Sequence, residues 1–379
     1  MEQLDILIKK FQDVSEHPEV QMKAYLSQGK KVVGCAPVYT PEEILHSMNI
    51  VPFGLWGADI EIEKAKSYFP AFICSITQSI LELGMNGSYE GMSAILIPSL
   101  CDSLKCLGEN WKYAVPHIPF IPMVYPQNRS SRGAKMYTHS NYSRVIEDLE
   151  KITGETFSQE SLAKSMEIYN EHNRLMRELD EFLSDRPVLT AVERSAVYKS
   201  AYFMDKKIHS QWIQELLTLM KQSDRSPKNT MRIITTGIIS DNKTFLSLLD
   251  QYGIAVVGDD MASESRQYRV DSERKDLPLL DLSEKFTRMG HCSVLFDEEK
   301  KRADLIVSMA IERKADAVLV VMTKFCDPEE FDYVIIKKAC DKAGIRCHMI
   351  EQDRQMSTFE QTHTSLQTLV ETNNLLTEV

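Results

Sequence analysis

Hydrophobic positions along this chain follow two rhythms, and the change between them marks its organisation. Between Lys31 and about Tyr125, short apolar blocks at 32–33, 50–54, 93–98 and 120–124 predict strands. Between them, 71–83 has the spacing of a helix, and Thr40-Pro41-Glu42-Glu43 predicts another helix start. Thr can cap, Pro suits the first helical position, and the two acids complement the helix dipole. From Tyr142 to about Lys221 strand signals stop. Val145, Ile146, Leu149 and Ile152, then Leu162, Ile168, Leu175 and Leu179, recur at helical spacing, with Gly154 a rare glycine. Asp224-Arg225-Ser226-Pro227 reads as a linker. Alternation then resumes, with strands expected at 232–237, 254–257, 317–323 and 346–350 and a helix face at Phe245, Leu248 and Leu249.

Continuous apolar strands separated by helices indicate parallel sheets covered on both faces. The expected fold class is therefore α/β: two doubly wound parallel-sheet domains bracketing a helical segment. The expected boundaries are 1–30 for N-terminal helices that join the helical segment, 31–140 for the first α/β domain, 141–226 for the helices and 227–379 for the second α/β domain. No short-period repeat or low-complexity tract interrupts this pattern.

Composition narrows the function classes. Forty-four Lys and Arg against 55 Asp and Glu leave a formal charge of −11, which speaks against nucleic-acid or anionic-membrane binding through a basic face. Apolar runs such as 317–322 fall far short of the roughly 20 residues of a membrane helix. The first residues, Met1-Glu2-Gln3-Leu4-Asp5, carry acids where a signal peptide needs a basic region, so a cytoplasmic protein is expected.

Eight cysteines with no C-x-x-C pair suit neither a disulfide scaffold nor a zinc ribbon. An isolated cytosolic cysteine is most often a small buried hydrophobe. The positions of three of them change that reading. Cys35, Cys101 and Cys326 each follow an expected strand, and in open parallel sheets ligands gather beyond the strands' carboxyl ends. Cys35 precedes Thr40-Pro41-Glu42-Glu43 and Cys326 precedes Asp327-Pro328-Glu329-Glu330, both helix starts whose N–H groups favour thiolate. Three such sulfurs from two domains would suit a soft metal centre, either an Fe–S cluster or zinc. Cys74, early in the 71–83 helix, is the better candidate for a fourth ligand and Cys106 the weaker.

Several stretches also resemble the 2-hydroxyacyl-CoA dehydratase β-subunits, the 2-hydroxyglutaryl-CoA dehydratase D-component family related to benzoyl-CoA reductase subunits. They are Gly34-Cys35-Ala36-Pro37, Tyr68-Phe69-Pro70-Ala71-Phe72-Ile73-Cys74-Ser75, Cys101-Asp102-Ser103-Leu104-Lys105-Cys106, Pro126-Gln127-Asn128-Arg129, Thr236-Gly237-Ile238-Ile239-Ser240-Asp241, Asp259-Asp260 with Glu264-Ser265-Arg266, and Lys324-Phe325-Cys326-Asp327-Pro328. The resemblance spans nearly the whole chain. It implies a 4Fe–4S cluster between the two α/β domains, with Cys35, Cys101 and Cys326 at ligand positions and Cys74 as a ligand or neighbouring thiol. It implies a heterodimer with a homologous α-subunit that mainly binds the acyl-CoA substrate, and an ATP-dependent Fe–S activator protein. The implied chemistry is an oxygen-sensitive, ketyl-radical loss of water from a (R)-2-hydroxyacyl-CoA to an (E)-2-enoyl-CoA. A self-pairing Fe–S electron-transfer or reductase protein of the same family is the alternative.

Other features carry plainer expectations. Cys292, Cys340 and Cys347 lie in no motif and read as ordinary thiols. Asp259 to Arg266 reads either as a hydrogen-bonding shell for the centre or partner, or as a cap and solvated helix start. Glu329 and Glu330 read as helix-start charges. No G-x-x-x-x-G-K-[ST] loop occurs, which fits ATP being handled by another protein.

Overall fold

The computed structural model describes residues 3–226, 231–273, 275 and 277–377. Met1 and Glu2, and Pro227 of the expected linker, lie outside the described residues. The chain opens with α1 (Gln3–Glu16) and α2 (Pro18–Ser27). The first α/β half follows as β1 (Lys31–Cys35), α3 (Glu42–Ser47), β2 (Ile50–Gly54), α4 (Ser75–Met85), β3 (Ala94–Pro98), α5 (Asp102–Ala114) and β4 (Phe120–Met123). Four helices come next: α6 (Ala134–Thr153), α7 (Gln159–Asp185), α8 (Ala191–Ser200) and α9 (Lys206–Gln222). The second half comprises β5 (Met231–Gly237), α10 (Lys243–Gln251), β6 (Ile254–Met261), α11 (Pro278–Arg288) and α12 (Arg302–Glu312), then β7 (Ala317–Thr323), α13 (Asp327–Lys342), β8 (Arg346–Gln352) and α14 (Glu360–Thr377).

The two sheets share one strand order, β2-β1-β3-β4 and β6-β5-β7-β8, and every pair is parallel. In each half the chain starts centrally, moves to one edge, then crosses to the other side. Such a reversal opens a crevice at the strands' carboxyl ends, here between β1 and β3 and between β5 and β7. β3 and β7 are buried along their full length, which explains their unbroken apolar runs. At the end of β5 a Cβ on Gly237 would lie 2.3 Å from the Val321 carbonyl oxygen, so only glycine fits that approach.

The halves are not simply strung along the chain. α11, from the second half, packs on α6 and α7 of the helical stretch. Its Leu279, Leu282 and Phe286 share a core with Val33, Leu96 and Ile121 of the first sheet. Phe286 stacks on Tyr125 with ring centroids 3.9 Å apart. At the other end α1 packs against α8 and α9 through Leu7, Phe11, Val197 and Ile213.

Three local expectations differ from the structure. Pro41, not Thr40, precedes the first turn of α3, because the Thr40 hydroxyl donates to the Ala36 carbonyl at 3.0 Å instead of capping. α4 begins at Ser75, not Ala71, which leaves Cys74 as its N-cap residue. β6 runs through Asp259 and Asp260 to Met261, where the sequence suggested an end at 257. Both carboxylates are buried there, and arginines neutralise them.

Beneath the α1 contact lies a buried histidine pair, His172 and His209, joined at 2.9 Å between ring nitrogens. Burial lowers both pKa values, that of His209 to about 3. The unfolded chain binds these protons near the ordinary value of about 6.5 and the folded chain does not. Stability is therefore expected to fall as pH drops below 6.5, by roughly 2 kcal/mol from His209 alone on reaching pH 5. Urea titrations at pH 7 and 5 measure this; equal midpoints would contradict it.

Candidate functional site

Three of the cysteines occupy equivalent places. Cys74, Cys101 and Cys326 are the N-cap residues of α4, α5 and α13. Cys101 follows β3 and Cys326 follows β7, so the site draws on the carboxyl ends of both sheets. Phe325 turns the chain into α13 with a left-handed backbone, φ 60°, a conformation that non-glycine residues adopt at a cost. Each sulfur faces amides in the first turn of its own helix. The amides of Ile76 and Thr77 face Cys74, those of Ser103 and Leu104 face Cys101, and that of Glu329 faces Cys326.

The three thiols also feel one another. Burial raises all three pKa values, that of Cys74 to about 12. Cys101 raises Cys74 further, and both Cys74 and Cys101 raise Cys326, since adjacent thiolates repel. The helix amides act in the opposite direction by solvating negative sulfur. A group of buried thiols that stay protonated alone, yet face convergent N–H donors, suits a cation that displaces their protons. As they stand, no three His, Cys, Asp or Glu side chains among the described residues form a closed ligating set. The donor chemistry fits a thiolate-bound cluster open to a further, non-protein ligand.

Cys35 is placed elsewhere. It is the last residue of β1 and alternates to the same face as Val33, in the core that α11 covers. Cys74 and Cys326 lie in the core on the opposite face, with Cys101 packed against it. The Cys35 thiol donates to the Val33 carbonyl at 3.7 Å, and burial, then Glu42, raises its pKa. The structure thus brings together Cys74, Cys101 and Cys326 and does not bring Cys35 to them. Cys106 is exposed on α5, Cys292 and Cys340 are buried, and Cys347 is half-buried on β8.

A buried charge network stands behind the Cys326 helix, and its partners were not evident from the sequence. Arg302 of α12 donates to Asp260 at 2.7 Å, Glu329 at 2.9 Å and Asp332 at 3.1 Å. Arg266 and Arg269 also bind Asp260, at 3.0 and 2.7 Å. Glu329 is therefore a buried anchor, not a solvated helix-start charge, and its other oxygen accepts from Ser293 at 2.6 Å. Asp259 pairs with Arg194 at 2.5 Å. The stretch from Asp259 to Arg266 is consequently not solvated: Asp259 accepts from the Ser265 N–H at 3.0 Å at the start of a short helical turn, and the stretch forms a buried brace between strands and helices.

Arg354 links the site to the first half. Its backbone N–H donates to the Ser75 hydroxyl at 3.1 Å, beside Cys74. Its guanidinium donates to the Trp56 carbonyl at 3.0 Å and to Asp241 at 2.6 Å.

The family model for the 2-hydroxyglutaryl-CoA dehydratase D-component matches residues 37–373. The chain is 45% identical to the (R)-phenyllactyl-CoA dehydratase beta subunit of Clostridium sporogenes, over 98% of this chain and 100% of that protein. It is 37% identical to the lactoyl-CoA dehydratase subunit beta of Anaerotignum propionicum, over 98% and 100% of the two chains. The (R)-2-hydroxyglutaryl-CoA dehydratase subunit beta of Acidaminococcus fermentans is 32% identical over 97% and 99%. This chain therefore belongs to the 2-hydroxyglutaryl-CoA dehydratase D-component family.

Proposed function

We propose that the chain is the β-subunit of a cytoplasmic (R)-2-hydroxyacyl-CoA dehydratase and that Cys74, Cys101 and Cys326 hold a 4Fe–4S cluster. The observation that supports this reading is that Cys74, Cys101 and Cys326, the N-cap residues of helices from both halves, lie near enough for the charge of one sulfur to raise the pKa of another. The beta-subunit names of the relatives support a paired enzyme, with a homologous α-subunit binding most of the acyl-CoA.

When bound, a 4Fe–4S cluster supplies single electrons. This chain's residues set the conditions for that. The helix amides stabilise negative sulfur, the apolar shell around Cys74 and Cys326 excludes water, and the Glu329–Arg302 anchor fixes the start of α13. Arg354 ties the Cys74 helix to the second half. In the proposed reaction an ATP-hydrolysing activator provides one electron, which forms a ketyl radical on the substrate thioester. Hydroxide leaves from C2, a β-proton made acidic by the radical is lost, and the electron is returned, giving the (E)-2-enoyl-CoA. The sequence carries no phosphate loop of its own, in keeping with a separate activator.

Anoxic co-purification with the partner subunit tests the reading. About four irons and four acid-labile sulfides on this chain are expected, with dehydration of 2-hydroxyacyl-CoA thioesters that requires both activator and ATP. An iron-free chain that supports full dehydration would refute it. A stable homodimer holding all the iron without dehydrating any thioester would favour the electron-transfer alternative.

A further inference from the structure

A cavity of about 790 Å³ lies away from the three cysteines and is lined by none of them. It opens where α2, the end of β2, α8 and the second half meet. Its volume is within the range of about 300–1,000 Å³ usual for small-molecule sites. One wall is aromatic and continuous: Phe53 packs on Phe203 with centroids 4.9 Å apart, Phe203 meets Tyr202 at 6.4 Å, and Tyr202 meets Trp56 at 5.2 Å. The wall is held firmly, because the Gly54 N–H donates to the Tyr202 carbonyl at 2.9 Å. A Cβ on Gly54 would lie 2.7 Å from the Tyr202 side chain, so that approach also needs glycine.

Charge decides what such a wall could face. Six carboxylates and three lysines line the cavity, and no arginine does. Four of the carboxylates are already paired: Glu16 with Lys243 at 2.8 Å, Asp241 with Lys199 at 2.8 Å and Arg354 at 2.6 Å, Asp59 with Arg354 at 2.9 Å, and Glu264 with Arg194. That leaves Glu19 and Glu90 against Lys23 to set the sign of the charge. Glu264 is buried in the wall, and burial, reinforced by Asp259, pushes its carboxyl up to about 7 against the pull of Arg194. Glu19 and Glu90 stand exposed on the rim. The phosphates of a CoA thioester would meet more negative than positive charge here. An ammonium group would meet carboxylates and ring faces, both of which attract cations.

The geometry points to a binding site in this cavity for a small organic cation with an apolar body, an arylalkyl ammonium being the type. The inference stands apart from the metal reading, since the site shares no lining residue with the cysteine centre.

Calorimetric titration of the full-length chain, prepared anoxically, compares phenethylamine with 3-phenylpropanoate, which have similar bodies and opposite charge. Phenethylamine is expected to bind saturably at one site, at least tenfold more tightly than the carboxylate, and to change Trp56 fluorescence. Ala196→Trp, which puts an indole into the cavity, weakens binding. Glu19→Lys with Glu90→Lys, at exposed positions that leave the fold intact, weakens phenethylamine and narrows the gap. The inference fails if neither probe binds saturably, if the carboxylate binds as tightly, or if the rim variant changes nothing. It fails equally if Ala196→Trp, with unaltered circular dichroism, binds as tightly as the parent. Iron content should be the same throughout, so failure here leaves the dehydratase reading untouched.

Discussion

Cys326→Ser is expected to take iron and sulfide from about four each per chain to background, and to abolish dehydration by the assembled enzyme. Cys74→Ser and Cys101→Ser should do the same, because all three residues hold the N-cap position of a helix and their sulfurs influence one another. Serine is an informative replacement at these places. It is among the best N-cap residues, so α4, α5 and α13 should be at least as well capped as before. Iron loss could then not be attributed to a frayed helix. A hydroxyl, however, is a far weaker ligand for a soft metal than thiolate. Unfolding midpoints of the metal-free variants should match or exceed the parent while iron falls. Cys35→Ser is the discriminating control, since its thiol lies on the other face of the first sheet, and it should keep its iron. Cys340→Ser, buried in α13 away from the helix start, should keep both iron and activity. Iron retained in all three capping variants, or lost only with Cys35→Ser, would remove the proposed ligand set.

Cys35 also shows how far the sequence could be read. Strand positions and their order are local signals, and the four strands of each sheet follow the apolar blocks closely. Cys101 and Cys326 do follow the carboxyl ends of β3 and β7, as their apolar blocks suggested. Such a block could not tell which face a strand's last residue takes. Strand alternation supplies that answer: Cys35 shares a face with Val33, and a two-residue apolar block was too short to show which face was which. For Cys74 the difficulty was a boundary. Helical spacing extended to Ala71, and only the true start at Ser75 puts Cys74 at the N-cap position. The brace around Asp260 was hidden for another reason. Its partner Arg302 is 42 residues away, and Arg194 is 65 residues from Asp259, so folding alone pairs them. The cavity draws its walls from six separate stretches of chain, and no local pattern announces it.

That brace supports the second large prediction. Arg302→Met is expected to destabilise the chain by about 3–5 kcal/mol, because it leaves buried carboxylates short of their charge partner. Methionine matches much of the arginine stem, so the loss would come from uncompensated charge more than from an empty volume. Asp260 would retain Arg266 and Arg269, but Glu329 and Asp332 would each lose a close guanidinium contact. Acid should modulate the loss in a definite direction. Burial alone would raise the Asp260 carboxyl, yet Arg266, Arg302 and Arg269 outweigh it and hold it well below the ordinary range. A carboxylate held low stabilises the fold above its unfolded pKa near 4, and that contribution disappears as pH falls. The gap between parent and Arg302→Met should thus be widest near pH 7 and narrow below about pH 4. Urea unfolding across that range measures it, and Arg302→Lys, which restores charge but only one donor group, should recover part of the gap at neutral pH. Because Glu329 also supplies the amide that faces Cys326, the methionine variant should lose iron more readily to a chelator even where it remains folded. Equal stability of parent and variant at pH 7 would mean the network contributes no net support, and the start of α13 would then need another anchor.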